Sequence, residues 1–293
     1  MDMLIQTFIN GTMGSLILIL VASGLCMIFG IMHIVNFAHG EFYMLGGFGA
    51  WLFFDQEVLP LFGPPAFRYI LSVILTMVAV AFIGIIVERV LLRRFRGSLQ
   101  SILVVTFGLM LIMQASTLII FGVTDKAFSS PFQGYLSLGN FHISQERMAA
   151  IITSIVIMLM LYFFINKTKY GKAMRAVAQD AEAALVLGMN FNLIFSLAMG
   201  IGCALAAVGG ALVGPIFYVN PYMGVAPVMK AFVVIILGGA GSLLGAVIGG
   251  FVVGMTEAFV STYFGTHFAI MAVFLILIFI LLVKPTGVFG HEE

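Results

Sequence analysis

Nine apolar runs, near residues 11–31, 38–54, 69–88, 101–121, 148–165, 192–214, 228–240, 243–262 and 267–283, follow one another with mostly short polar joints between them. A helix crosses the hydrocarbon of a bilayer with roughly 20 residues, and inside it every backbone N–H and C=O has to be bonded within the protein. The pattern predicts an all-α integral membrane protein, a polytopic helical bundle with about eight or nine membrane segments, some of them broken or re-entrant. Composition excludes the alternative: 62% hydrophobic and 9% charged residues lie far from the roughly one-quarter charged residues of soluble domains. Residues 1–293 are therefore read as a single transmembrane domain. The N-terminal Met-Asp-Met-Leu lacks the basic region of a signal peptide, so the first run is read as retained.

Charge sets the expected orientation. Eight of the 13 Lys/Arg residues sit in two loops: Arg89, Arg93, Arg94 and Arg96, then Lys167, Lys169, Lys172 and Arg175. The excess of basic residues on cytoplasmic loops assigns both to the inside. Alternation then places the N-terminus outside, the C-terminus and Lys284 inside, and loops 55–68, 122–147 and 215–227 outside. Residues 228–262 admit either two spans or one span and a re-entrant piece, because Gly238, Gly239, Gly241 and Gly245 crowd the middle. Interrupted helices at membrane depth line cavities.

The longest polar interruption, 166–190, has helical order. Met174, Val177, Ala181, Ala184 and Leu185 recur at helical spacing while Lys172, Arg175, Gln179 and Glu182 fall largely between them, which predicts an amphipathic helix or helix pair. Asp180 suits the N-cap of a second helix, and Gly188 its left-handed end. An exposed, capped helix at the inner face reads as a handle for a partner; the competing reading is a helix lying on the inner leaflet.

Polar groups inside the apolar runs need a reason. The stretch His33-Ile-Val-Asn36-Phe-Ala-His39-Gly40-Glu41 places two imidazoles, an amide and a carboxylate between two spans. It reads either as a helix start capped by Asn36, with Glu41 in the favourable first turn, or as a substrate contact; a six-residue His spacing without further ligands matches no metal pattern. Leu237-Gly-Gly-Ala-Gly-Ser242 lacks the Lys and following Ser/Thr of a phosphate-binding loop, and Gly171-Lys172 fails the same pattern. Gly245/Gly249 and Gly250/Gly254 are small-residue pairs of the kind that let helices approach closely. Glu257 admits two roles, an interhelical hydrogen bond or a pathway or proton group. The similarity of Leu45-Gly-Gly-Phe-Gly-Ala50 to Leu237-Gly-Gly-Ala-Gly-Ser242 is what an inverted repeat would leave. Cys26 and Cys203 sit in apolar runs, where neither a disulfide nor a metal site is expected.

Asn36-Phe-Ala-His-Gly-Glu41, Asn220-Pro-Tyr-Met-Gly224, Met229-Lys-Ala-Phe232 with Leu237-Gly-Gly-Ala-Gly-Ser242, and Lys284-Pro-Thr-Gly-Val-Phe-Gly290 together resemble the permeases of bacterial branched-chain amino-acid ABC transporters, over nearly the whole chain. The resemblance is to the H-type subunit of the high-affinity leucine/isoleucine/valine systems. It implies a permease of the bacterial inner membrane, with a second M-type permease, two cytoplasmic ATPases and a periplasmic substrate-binding protein as partners beside the lipid bilayer, and no nucleic acid. It implies no cofactor in this chain, ATP and Mg being bound by the partner ATPases, and no enzymatic site of its own. Glu182-Ala-Ala-Leu-Val-Leu-Gly188 matches the Glu-Ala-Ala-x-x-x-Gly core by which importer permeases dock on ATPases, although the downstream Ile-x-Leu-Pro is absent. The implied coupling residues are Gly171, Met174, Arg175, Val177, Asp180, Glu182, Ala183, Ala184, Leu185 and Gly188. The pathway candidates are Asn36, His39, Gly40, Glu41, Gly238, Gly239, Gly241 and Glu257. Urea and short-amide permeases share the Asn-x-Ala-His-Gly-Glu pattern, whereas Met229-Lys-Ala-Phe232 favours amino acids. A self-contained channel or ion-coupled transporter would instead rely on His33, His39, Glu41 and Glu257.

Overall fold

A computed structural model describes residues 2–55, 63–138, 141–284 and 287–289. Helices α1 (Asp2–Met32), α2 (His39–Phe54) and α3 (Pro65–Val90) are followed by a 3-10 turn at Leu92–Phe95 and by α4 (Leu99–Phe121). An antiparallel ribbon of β1 (Tyr135–Leu138) and β2 (Phe141–Ser144) leads into α5 (Gln145–Lys167), α6 (Lys169–Gln179) and α7 (Ala181–Val186). The chain ends with α8 (Phe191–Val213), α9 (Val225–Gly238), α10 (Leu243–Phe264) and α11 (Thr266–Val283).

Among the described residues seven helices, α1, α3, α4, α5, α8, α10 and α11, are long and apolar enough to cross a membrane. Helices α2 and α9 have 16 and 14 residues, or about 24 and 21 Å at 1.5 Å per residue, short of the roughly 30 Å hydrocarbon core. The nine expected segments are thus seven spans and two half-length helices, and 228–262 resolves into a half-helix followed by a span. The turn between them uses Gly239 and Gly241 at φ 92° and 86°, a region that only glycine enters at low cost. Ser242 Oγ then caps α10 by accepting from Gly245 N at 3.1 Å. The all-α expectation holds, the short ribbon being a minor addition to a helical bundle. The ribbon lies in the loop after α4, outside the spans, where water can serve the unpaired strand edges.

Helix α1 forms the centre, with α5, α8, α9 and α10 packed on it. Helices α4 and α11 lie outside and turn Ile112, Ile119, Phe279 and Leu282 outward, which costs little where the surroundings are as apolar as the side chains. Small residues govern the central contacts. Val21 lies beside Gly209 and Gly24 against Gly202, so α1 and α8 run antiparallel with their backbones nearly touching.

The two triplets α1–α2–α3 and α8–α9–α10 occupy corresponding places, each long, short, long. Helix α1 packs on α10 as α8 packs on α3; α2 lies on α8 as α9 lies on α1; and each short helix lies on the long helix that follows it. With α1 and α8 antiparallel, this is an inverted repeat. The glycine stretches that suggested one are not its equivalent parts, because 45–50 lies inside α2 whereas 239–242 forms the turn after α9.

Candidate functional site

The two half-helices begin at the same place. After α1 the chain turns at His33, a left-handed non-glycine residue at φ 54°, and re-enters the bundle. His39 Nε2 then lies 3.1 Å from the carbonyl of Val21, eleven residues before the end of α1, or about 16 Å back along its axis. Gly40, in the first turn of α2, meets Gly224, the N-cap of α9, main chain to main chain, and a Cβ on either would overlap the other's carbonyl. Two helix N-termini with their partial positive ends therefore face one another within the span, as in transporters built on inverted repeats.

Asn36, His39 and Glu41 cluster here and are fully buried. Asn36 does not cap α2. The N-cap position is Ala38, and Asn36 instead directs Nδ2 to Met199 Sδ of α8 at 3.8 Å. Glu41 lies in the first turn as expected, and its Oε1 accepts from Gln114 of α4 at 2.8 Å. Asn36 Oδ1, His39 Nδ1 and Glu41 Oε2 have no partner among the described residues.

Beside this junction lies a cavity of about 380 Å³ between α1, α5, α9 and α10. Lys230 of α9 and Glu257 of α10 form an ion pair on its wall, and Arg147 of α5 donates to Asn10 Oδ1 of α1. Glu257 thus has the interhelical partner expected of one reading, and it also lines the cavity. Lys230 entered the sequence reading only within Met229-Lys-Ala-Phe232, and Arg147 not at all, because a lone cation in or beside an apolar run carries no pairing signal until its partner helix is known. Gly238 packs on Gly245 where α9 turns into α10, and Gly241 touches Gly30 near the end of α1; both lie away from the cavity, at the opposite end of α9.

Residues 166–190 form the helix pair α6–α7. Thr168 Oγ1 accepts from Gly171 N at 3.0 Å, and Asp180 Oδ1 accepts from Ala183 N at 2.9 Å. Gly188 ends α7 at φ 77°, with its N–H bonded to Leu185 O and that of Met189 to Ala184 O. Gly171 packs so closely on the end of α5 that no side chain fits. Met174, Val177 and Ala184 are 1–2% exposed, seated in the protein's own core, whereas Leu185, Val186 and Leu187 are 60–87% exposed. Arg175, Glu182 and Ala183 are exposed as well. The apolar stripe seen in the sequence therefore divides: one part anchors the pair, and another faces outward.

A third cluster ties the first basic loop to the start of α8. Glu88 is buried and pairs with Arg93 at 3.2 Å and with Arg96, while Ser196 Oγ donates to it at 2.5 Å. Arg96 also donates to Asn192 Oδ1 at 2.7 Å and lies 4.5 Å over the Phe195 ring. Residues 88–96 and the segment after α7 therefore lie at one end of the bundle. Sequence reading used these arginines only for orientation; the acid one residue before the basic run was the available signal. Among the described residues no group of three or more His, Cys, Asp or Glu is placed to hold a metal, and Cys26 and Cys203 are free and buried.

Residues 7–283 match the family described as branched-chain amino acid transport system / permease component. The high-affinity branched-chain amino acid transport system permease protein LivH of Salmonella typhimurium strain LT2 is 37% identical over 99% of this chain and 96% of the relative. That of Escherichia coli K12 shows the same values. The permease protein BraD of Pseudomonas aeruginosa, of the same description, is 32% identical over 99% of this chain and 96% of its own length.

Proposed function

Because the chain belongs to the family of permease components of branched-chain amino acid transport systems, we propose that it is the H-type permease subunit of an ATP-driven importer of branched-chain amino acids in a bacterial inner membrane. In this reading an M-type permease completes the pathway, a periplasmic binding protein delivers the substrate, and two cytoplasmic ATPases, which bind ATP and Mg, seat on α6–α7. The ends bearing 89–97 and 166–190 face the cytoplasm.

The observation that carries the reading is the division of the α6–α7 surface. Helix α6 is fixed to the spans by Gly171, Met174 and Val177, while α7 presents Leu185, Val186 and Leu187 to the outside. An exposed apolar patch held on a short, capped and anchored element suits a docking surface. Force applied at α7 reaches α5, α1 and α8 through α6, which packs on all three.

The test is to change Leu185, Val186 and Leu187 together to Ser and measure ATPase co-purification with the permease pair. The reading predicts loss of the ATPases with the membrane helices still assembled. Retention at the wild-type level contradicts it and leaves a self-contained transporter or a surface-lying helix as the account.

A further inference from the structure

Beside the head-to-head half-helices, the cavity between α1, α5, α9 and α10 joins two chemistries. One wall holds fixed charges of both signs: the Lys230–Glu257 pair, whose side chains are about one-quarter to one-third exposed, and Arg147. The other wall is aliphatic, from Met13, Ile17 and Leu18 of α1. A structural ion pair needs no cavity beside it, and a cavity for an apolar guest gains nothing from three charges.

We propose that this cavity is a transient site for the zwitterion of a branched-chain α-amino acid, with the substrate carboxylate at Lys230 and Arg147, its ammonium at Glu257 and its side chain on the aliphatic wall. The inference rests on the reading of the chain as an amino-acid permease and assigns the residues that would meet the substrate. A zwitterion can part Lys230 from Glu257 and give each a new partner, so no charge is left uncompensated away from water. An analogue lacking either charge leaves a cation or a carboxylate of the site unpaired, which is the arrangement that discriminates most sharply between ligands. The location fits the role. Lys230 lies six residues beyond Gly224, about 9 Å along α9, and Tyr43 of α2 and Pro227 of α9 also line the cavity, so a ligand here touches both half-helices.

Ser261 borders the cavity, and the two native thiols, Cys26 and Cys203, are buried. Ser261→Cys therefore adds a reporter to a chain whose own thiols are both buried, and the same complex without the substitution gives the background to subtract. In the assembled transporter in lipid nanodiscs, L-leucine at about ten times its dissociation constant is expected to slow modification of Cys at 261 by a small thiol reagent roughly tenfold. Isoamylamine and isocaproate, each lacking one charge, are expected to protect far less at equal concentration, and Glu257→Gln in the reporter background is expected to abolish protection by leucine. Absence of protection by leucine at any concentration overturns the assignment, as does equal protection by all three compounds. ATP-dependent leucine uptake by the wild-type complex is measured alongside. Uptake without protection refutes this site alone, whereas absence of uptake refutes the functional reading beneath it.

Discussion

Gly40 and Gly224 let two helix ends meet through main chain alone, so the contact has no side chain that can move aside. In Gly224→Ala the new methyl group falls on the carbonyl of Gly40, and overpacking of this kind costs roughly 1–3 kcal/mol. The expected result is a lower thermal midpoint for the purified permease pair and less uptake per assembled complex; an unchanged midpoint would mean that the half-helices are not closely seated. Glu88→Gln acts differently. It leaves Arg93 and Arg96 without their carboxylate while Ser196 keeps an acceptor. Because both guanidinium groups are partly exposed, with side-chain exposures of 33% and 26%, water offsets part of the loss, and a destabilisation of about 1–3 kcal/mol is expected. Thermal unfolding of Glu88→Gln beside Glu88→Asp measures it. Equal midpoints for wild type and both variants would show that the cluster adds nothing to stability.

At the scale of elements, α7 is the shortest α-helix among the described residues, with six residues, a cap at each end and Ala184 as its one buried side chain. Asp180→Ala removes the acceptor for Ala183 N at a cost of about 1 kcal/mol, and Gly188→Leu places a branched residue in a left-handed conformation at a similar cost of roughly 1 kcal/mol or more. Both are expected to weaken ATPase association while the spans stay assembled, read as the ratio of ATPase to permease after purification; wild-type ratios in both would separate α7 from coupling. These caps were legible in the sequence, because a cap depends on residue types a few positions apart. The fate of the apolar stripe was not. Helical spacing marks Met174, Val177, Ala184 and Leu185 as one face without telling which body covers it, and here the core of the chain itself takes the first three. Asn36 failed as a cap for a related reason: its type suits the role, but α8 brings Met199 within reach of its amide.

Across the whole molecule, the apolar segments were readable to within about four residues, since length and apolarity are local properties, except that α1 begins at Asp2, nine residues before the expected run. The half-length of α2 and the Lys230–Glu257 pair were not, because each depends on which distant segments the fold brings together; the inverted repeat was suggested by glycine stretches that are not its equivalent parts, and a re-entrant piece in 228–262 was one of two readings left open. Orientation has its own test. A cysteine at the exposed Gln179 of α6 is expected to stay unmodified when an impermeant reagent is added outside intact cells and to react once the membrane is opened; labelling from outside would invert the topology and remove the ATPases from α7. The account as a whole rests on coupling. Its most direct measurement is leucine uptake into vesicles carrying the permease pair with loaded binding protein, with and without the ATPases and ATP. The account predicts concentrative uptake only when ATPases and ATP are both present. Uptake of equal rate and extent by the permeases alone would contradict it.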